Sequence, residues 1–323
     1  MSIGIIGAGA WGTALASQLA THKERVILWG RNGEQMATMA ATSRNATYLG
    51  DTPLSPKLLF TNDLDDLSAC ETVLYVAPAQ SFGALGPALS ALLSERCQLV
   101  LCAKGMDKTT GRLLHGEAER HFSKERLFAL SGPSFAKDVA QGLPTAVVLA
   151  GHDLATTTAL AEHLASPWFR IYASDDLTGV EAGGALKNVM ALGVGAARGL
   201  GLGASAEAAL IARGFAELLR IAVALGARAE TLSGLSGLGD LVLTCSSPQS
   251  RNFAYGVAMA RGEDLSNRPL AEGVHTARVA LQTAQEHGVD APIIAAVVAV
   301  LEHKISAREA VSLLLERPLT TES

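Results

Sequence analysis

The chain has 323 residues, of which 49% are hydrophobic and 18% charged, with a formal net charge of −5. This length predicts about two domains, and the apolar fraction supports a large core and excludes an intrinsically disordered chain. The acidic balance offers no broad attraction to nucleic acid or an anionic membrane, so any anionic ligand must be held by local cations.

The chain opens on an apolar run, Ile3-Gly4-Ile5-Ile6, followed at once by Gly7-Ala8-Gly9-Ala10-Trp11-Gly12 and helix-forming residues 13–19. Strand, G-x-G-x-x-G turn and helix in that order form a dinucleotide site. Gly7 permits the tight turn, Gly9 lets the backbone approach the pyrophosphate, and Gly12 lets helix and strand pack closely. The free N–H groups and positive dipole end of the helix face the anion. Further strand-like runs follow at 25–30, 57–61, 72–77, 98–103, 127–131, 145–150 and 168–173. Helical stretches lie at 10–21, 33–41, 81–94, 110–121 and 154–165. Strands alternating with helices imply a mostly parallel sheet covered on both faces, whose strands should be continuously apolar.

From about Leu177 the strand-like runs stop, and segments rich in Ala, Leu and Glu take over at 178–197, 205–225, 231–235, 237–245, 250–261, 271–287, 292–302 and 307–316. The expected fold is α/β, with an N-terminal Rossmann-type, mostly parallel sheet domain (1–176) followed by an all-helical C-terminal domain (177–323). No Pro- or Ser-rich linker separates them, so a firm interface with the site between the domains is expected. The tail from Pro318 to Ser323 reads as disordered.

Cys70, Cys97, Cys102 and Cys245 show no C-x-x-C pair or metal spacing. They read as small buried residues of a cytoplasmic protein, with no metal expected. The N-terminus carries no charged n-region. The longest clean apolar run, Ala291 to Leu301, is shorter than the about 18 residues a bilayer span requires. No secretory signal or integral membrane segment is therefore expected.

Several clusters carry chemistry. NAD-preferring sites place an acidic residue at the tip of the second strand, whereas an arginine there accommodates a 2′-phosphate. Here that tip reads Leu28-Trp29-Gly30-Arg31-Asn32, so Arg31 argues for NADPH, while Glu34 in the next turn leaves room for NADH. Lys104 ends the fifth strand, where ligands of open parallel sheets sit. Lys187 lies in a small, apolar helix, Glu181-Ala182-Gly183-Gly184-Ala185-Leu186-Lys187-Asn188. Lysine is seldom fully buried unless paired, and desolvation or a nearby cation lowers its pKa towards a range useful for proton transfer. Ser250-Arg251-Asn252, at the start of a helix, is either a phosphate site or an ordinary cap with Ser250 as the capping residue. Asp240, after Gly237-Leu238-Gly239, is either a cap or an active-site carboxylate. The Ser131-Gly132-Pro133-Ser134-Phe135-Ala136 turn is equally open between structural and functional roles.

Taken together, the chain resembles the bacterial NAD(P)-dependent glycerol-3-phosphate dehydrogenases along essentially its whole length. The resemblance runs from the glycine turn with Thr13 through Lys104-Gly105, the 131–136 turn, Gly183-Gly184-Ala185-Leu186-Lys187-Asn188 and Gly237-Leu238-Gly239-Asp240 to Ser250-Arg251-Asn252 and Glu272-Gly273. It implies reduction of dihydroxyacetone phosphate to sn-glycerol 3-phosphate, a phospholipid precursor, with NADPH preferred and NADH also usable. It also implies that Lys187 is the catalytic proton donor or acceptor. Lys104, Gly132, Ser134, Lys187, Asp240, Ser250, Arg251 and Asn252 would surround the substrate. Gly7, Gly9, Trp11, Gly12, Arg31, Lys104, Ala136, Arg251, Leu270 and Glu272 would contact the cofactor. Ala10 departs from the serine frequent in the family, removing a hydroxyl near the pyrophosphate. No nucleic-acid partner is expected, and a homodimer is the candidate assembly. Two alternatives compete: another two-domain β-hydroxyacid dehydrogenase, and a non-catalytic nucleotide sensor on the same scaffold. The sensor would have no need of Lys187 in an apolar helix.

Overall fold

The computed structural model describes residues 2–268 and 271–316. The sequence expectations at Leu270 and over Pro318–Ser323 lie outside the described residues. Among the described residues eight strands form one sheet: β1 (Ser2–Ile6), β2 (Arg25–Trp29), β3 (Leu58–Thr61), β4 (Thr72–Tyr75), β5 (Gln98–Leu101), β6 (Leu127–Ser131), β7 (Thr145–Gly151) and β8 (Phe169–Ser174). Their spatial order is β3-β2-β1-β4-β5-β6-β7-β8. Adjacent strands are parallel except for β6 and β7, which pair antiparallel with Ala129 opposite Ala150. Helices α1 (Ala10–Leu19), α2 (Gly33–Thr42), α3 (Ala46–Leu49), α4 (Phe82–Leu92), α5 (Leu114–Ala118), α6 (Ala136–Ala140) and α7 (Leu154–Leu164) lie among the strands. The rest of the described chain is helical: α8 (Leu177–Gly199), α9 (Ala204–Ala224), α10 (Ala229–Leu232), α11 (Asp240–Ser246), α12 (Arg251–Ala260), α13 (Glu272–Glu286), α14 (Pro292–Leu301) and α15 (Ala307–Leu315).

Alternation within each strand divides the sheet's core in two. Ile5, Leu28, Leu74 and Val100 face one side with Leu15 of α1, while Ile6, Ile27, Tyr75 and Leu101 face the other with Phe82 of α4. Successive side chains point to opposite faces, so a strand buried on both must be apolar throughout. The central strands meet that expectation. The edge strand β8 does not, because it alternates buried and open positions along one uncovered face. A separate core gathers around α8, from Ala182 to Val194, with Leu218, Ile221, Leu241 and Phe253 from the surrounding helices.

Two helical expectations need correction. The stretch 110–121 is helical only over Leu114–Ala118. Upstream, the Asp107 carboxylate accepts from the N–H groups of Thr109 and Thr110 at 2.9 Å each, and Gly111 takes φ +71°. That turn diverts the backbone from helical bonding. The stretch 237–245 is a π-helical turn over Leu235–Gly239 running into α11. The short α3 and α6 escaped sequence analysis because four or five residues carry too little periodicity to register. All four cysteines are free and buried, and among the described residues no helix is long and apolar enough to cross a membrane.

Candidate active site

The glycine turn joins β1 to α1. Gly7 has φ +117°, and a Cβ there would meet the Ala77 nitrogen at 2.8 Å; one at Gly12 would meet the Gly7 oxygen at 1.9 Å. A Cβ at Gly9, by contrast, would meet nothing within 4 Å. The first and third glycines thus close the turn on the sheet, and the second leaves open space before the helix. Gly9 caps α1 without a side-chain hydrogen bond. The unsatisfied first-turn amides therefore suit an anion, and the turn fits a dinucleotide pyrophosphate. A brace with no local sequence signature stands behind it. Buried Asn45 donates to the Ala8 carbonyl at 3.1 Å and to Thr13 Oγ1 at 2.8 Å, and Gln35 donates to the same carbonyl at 3.1 Å. At the tip of β2, Arg31 is exposed, Asn32 caps α2 by accepting from the Gln35 N–H at 3.1 Å, and Glu34 lies exposed in its first turn.

Beyond the carboxyl end of β5, two lysines share one carboxylate. Lys187 Nζ donates to Asp240 Oδ1 at 2.5 Å, and Lys104 Nζ donates to Asp240 Oδ2 at 2.7 Å. Lys187 also donates to Thr244 Oγ1 at 2.7 Å, and Lys104 to the Gly132 carbonyl at 3.3 Å. Only 7% of the Lys187 side chain and 2% of that of Asp240 is exposed, so neither charge could stand there unpaired. Burial pulls the Lys187 pKa down to about 8 against the opposing attraction of Asp240, and Lys104 adds to the lowering. Burial alone would raise the Asp240 carboxyl, but Lys104 and Lys187 hold it below the usual carboxylate range. Asp240 is a buried partner of both lysines. Although α11 begins at this residue, its side chain faces the ammoniums.

Small residues bring the helix this close. A Cβ on Gly183 would stand 2.6 Å from the Ser236 carbonyl in the π-helical turn, and one on Gly184 would stand 2.6 Å from Ser131 Oγ. Larger side chains at either position would push α8 away from the turn that leads to Asp240 and from the end of β6. Thr244, missed in the sequence, had a signal: it lies four residues after Asp240, on the same helical face. Asn188 follows Lys187 directly in α8. Its amide donates to the Lys104 carbonyl at 3.4 Å, and its oxygen accepts from Asn252 Nδ2 at 3.0 Å.

Ser250 accepts from the Phe253 N–H at 3.3 Å and so does cap α12. Arg251 is exposed, while Asn252 is buried and accepts from the Gly273 N–H at 2.9 Å through its oxygen. Asn252 therefore braces α12 against α8 and α13 rather than standing free. Glu272 opens α13, its carboxyl raised by burial against the opposing charges of Arg251, Lys104 and Lys187. Ser134 Oγ donates to the Gly132 carbonyl at 3.0 Å, so Gly132, at φ +147°, receives both Ser134 and Lys104. Half-buried Trp11 and Ala136 pack against the sheet core that α1 covers, with Trp11 Nε1 buried and without a partner among the described residues.

This is the layout of a two-domain, dinucleotide-dependent oxidoreductase with a buried lysine–carboxylate cluster where the sheet meets the helical domain. Residues 2–157 match the sequence model of the NAD-dependent glycerol-3-phosphate dehydrogenase N-terminus, and residues 176–312 match that of its C-terminus. The chain belongs to the NAD-dependent glycerol-3-phosphate dehydrogenase family. It is 50% identical to glycerol-3-phosphate dehydrogenase (NAD(P)+) of Brucella ovis over 321 residues, covering 99% of this chain and 98% of the relative. The Chelativorans sp. enzyme of the same name is also 50% identical, over 322 residues with the same coverage. Among solved structures, glycerol-3-phosphate dehydrogenase of Coxiella burnetii superposes with a TM-score of 0.93 at 36% identity, covering 98% of this chain and 99% of that one.

Proposed function

We propose that this chain reduces dihydroxyacetone phosphate to sn-glycerol 3-phosphate in the cytoplasm, with NADPH preferred over NADH, and that the product feeds phospholipid synthesis. The observation that carries the reading is the buried Lys187–Asp240–Lys104 centre, in a chain of this family. The nicotinamide supplies the hydride when bound. The residues proposed to hold its dinucleotide are Gly7, Gly9, Trp11, Gly12, Arg31, Lys104, Ala136, Arg251, Leu270 and Glu272.

As hydride reaches the carbonyl carbon, negative charge develops on the carbonyl oxygen. An ammonium has three donors. Two on Lys187 are engaged by Asp240 and Thr244, leaving one for that oxygen, and two on Lys104 are engaged by Asp240 and Gly132. Lys187 stabilises the oxyanion and gives it the proton, while in reverse the neutral amine removes it. Lys104, Gly132, Ser134, Asp240 and Ser250-Arg251-Asn252 frame the substrate. Arg251, exposed at the N-terminus of α12, is the cation proposed for the phosphate. We assign residues 1–176 to cofactor binding and 177–323 to substrate, in a homodimer.

Arg251→Ala tests the substrate. The variant should weaken dihydroxyacetone phosphate far more than unphosphorylated dihydroxyacetone. Remote binding energy also orients the carbonyl, so kcat should fall with kcat/KM rather than KM alone rising. Inorganic phosphate should compete in the wild type and lose that effect in the variant. Equal efficiency of the wild type on the two substrates would refute the phosphate site. Arg31→Ala tests the cofactor. A charged hydrogen-bonded contact is worth about 1.5–3 kcal/mol, so KM for NADPH should rise about tenfold or more relative to that for NADH. Steady-state kinetics with both cofactors reads this, and an equal effect on both assigns Arg31 to the fold.

A further inference from the structure

Away from the substrate residues, the two lysine-bearing segments are tied together a second time. Glu181 is a buried residue of α8, six positions before Lys187 and so about 9 Å along the helix axis. Its Oε2 accepts from the His115 backbone N–H at 3.1 Å and from His115 Nδ1 at 2.6 Å. His115 is the second residue of α5, whose own cap position, Leu113, provides no side-chain hydrogen bond. Glu181 thus satisfies, from the helical domain, an N-terminal amide of a helix in the sheet domain.

The path from His115 back to Lys104 is stiff. Met106 bridges to Leu113, the Asp107 N–H donates to the Arg112 carbonyl at 2.9 Å, and Gln80 donates to the Met106 carbonyl at 2.6 Å. The contacts form a closed circuit: Lys104, the 105–113 loop, His115, Glu181, α8, Lys187, Asp240 and Lys104 again. Glu181 Oε1 is buried with no partner among the described residues. A carboxylate left half unsatisfied in the interior is costly, and an apolar side chain of similar shape would cost less. What the carboxylate adds is the cross-domain attachment.

We propose that Glu181, acting through His115, is a positioning residue that fixes Lys187 relative to Lys104 across the domain junction. This rests on Lys187 being the proton donor. A displacement of about 1 Å in a reacting group can lower the rate about 10²-fold. Glu181→Ala is therefore expected to lower kcat for dihydroxyacetone phosphate about tenfold or more, with KM for NADPH within about twofold. Glu181→Gln, which keeps an oxygen for both donors, should restore kcat to within about threefold.

A second readout uses the protein without substrate or cofactor: acetylation of Lys187 by acetic anhydride, quantified by peptide mass spectrometry against exposed Lys57. Glu181→Ala should speed Lys187 labelling about fivefold or more, as its lodging loosens. If Glu181→Ala does not fold, His115→Ala carries the same two expectations. Unchanged kcat per folded molecule and unchanged labelling would overturn the proposal, even with a lowered Tm. So would a Glu181→Gln variant as impaired as Glu181→Ala. Wild-type protein that turns over no dihydroxyacetone phosphate would instead defeat the functional reading, while the labelling would still report on the tie itself.

Discussion

Lys187→Met is expected to lower kcat by about 10²–10⁴-fold, the usual loss when a positioned acid or base is removed. The fold should survive, because Asp240 keeps Lys104 at 2.7 Å and methionine fills much the same volume within the apolar helix. NADPH affinity should change little, since the glycine turn is untouched. The pH dependence provides a second check. The reduction needs the ammonium, so wild-type kcat should fall as pH rises through about 8, where burial has brought Lys187, whereas the reverse oxidation needs the free amine and should rise through the same range. Both limbs should vanish in the variant. Near-normal kcat in folded Lys187→Met, followed by cofactor absorbance at 340 nm, would end the assignment.

Asp240→Asn should be nearly as damaging, through charge rather than proton transfer. The substitution takes from two ammoniums the one carboxylate they had shared, at 2.5 and 2.7 Å. Removing one partner from a buried ion pair costs about 3–5 kcal/mol, and Asp240 is 1% exposed, so urea unfolding should show a loss of that order. An opposite charge nearby favours the charged form of a group, so with the carboxylate gone the kcat limb should move below about 8. The sign follows from the lost attraction, since the carboxylate favours the charged lysine and its loss favours the neutral amine. Reduction at pH 7 should then be slow and improve as pH falls. A limb still near 8, with undiminished stability, would show that Asp240 does not govern Lys187.

The sequence by itself determined the order of the strands. Eight apolar runs became eight strands, because a strand covered on both faces can hold few polar residues, and that pattern is written locally. It also marked the glycine turn and singled out Lys187, whose charge in a small, apolar helix demanded a partner. The tertiary structure decided which partner. Asp240 lies 53 residues from Lys187 and 136 from Lys104, and nothing local distinguishes a carboxylate that caps its own helix from one that turns towards two distant lysines. The same holds for Asn252, whose hydrogen bonds to Asn188 and Gly273 no local pattern beside Arg251 announces. It holds too for Glu181, whose role depends on His115 reaching it from the other domain. Local periodicity records which face of an element is buried. Which charges meet across a domain junction depends on how closely the helices pack, and here small side chains at Gly183 and Gly184 permit that approach.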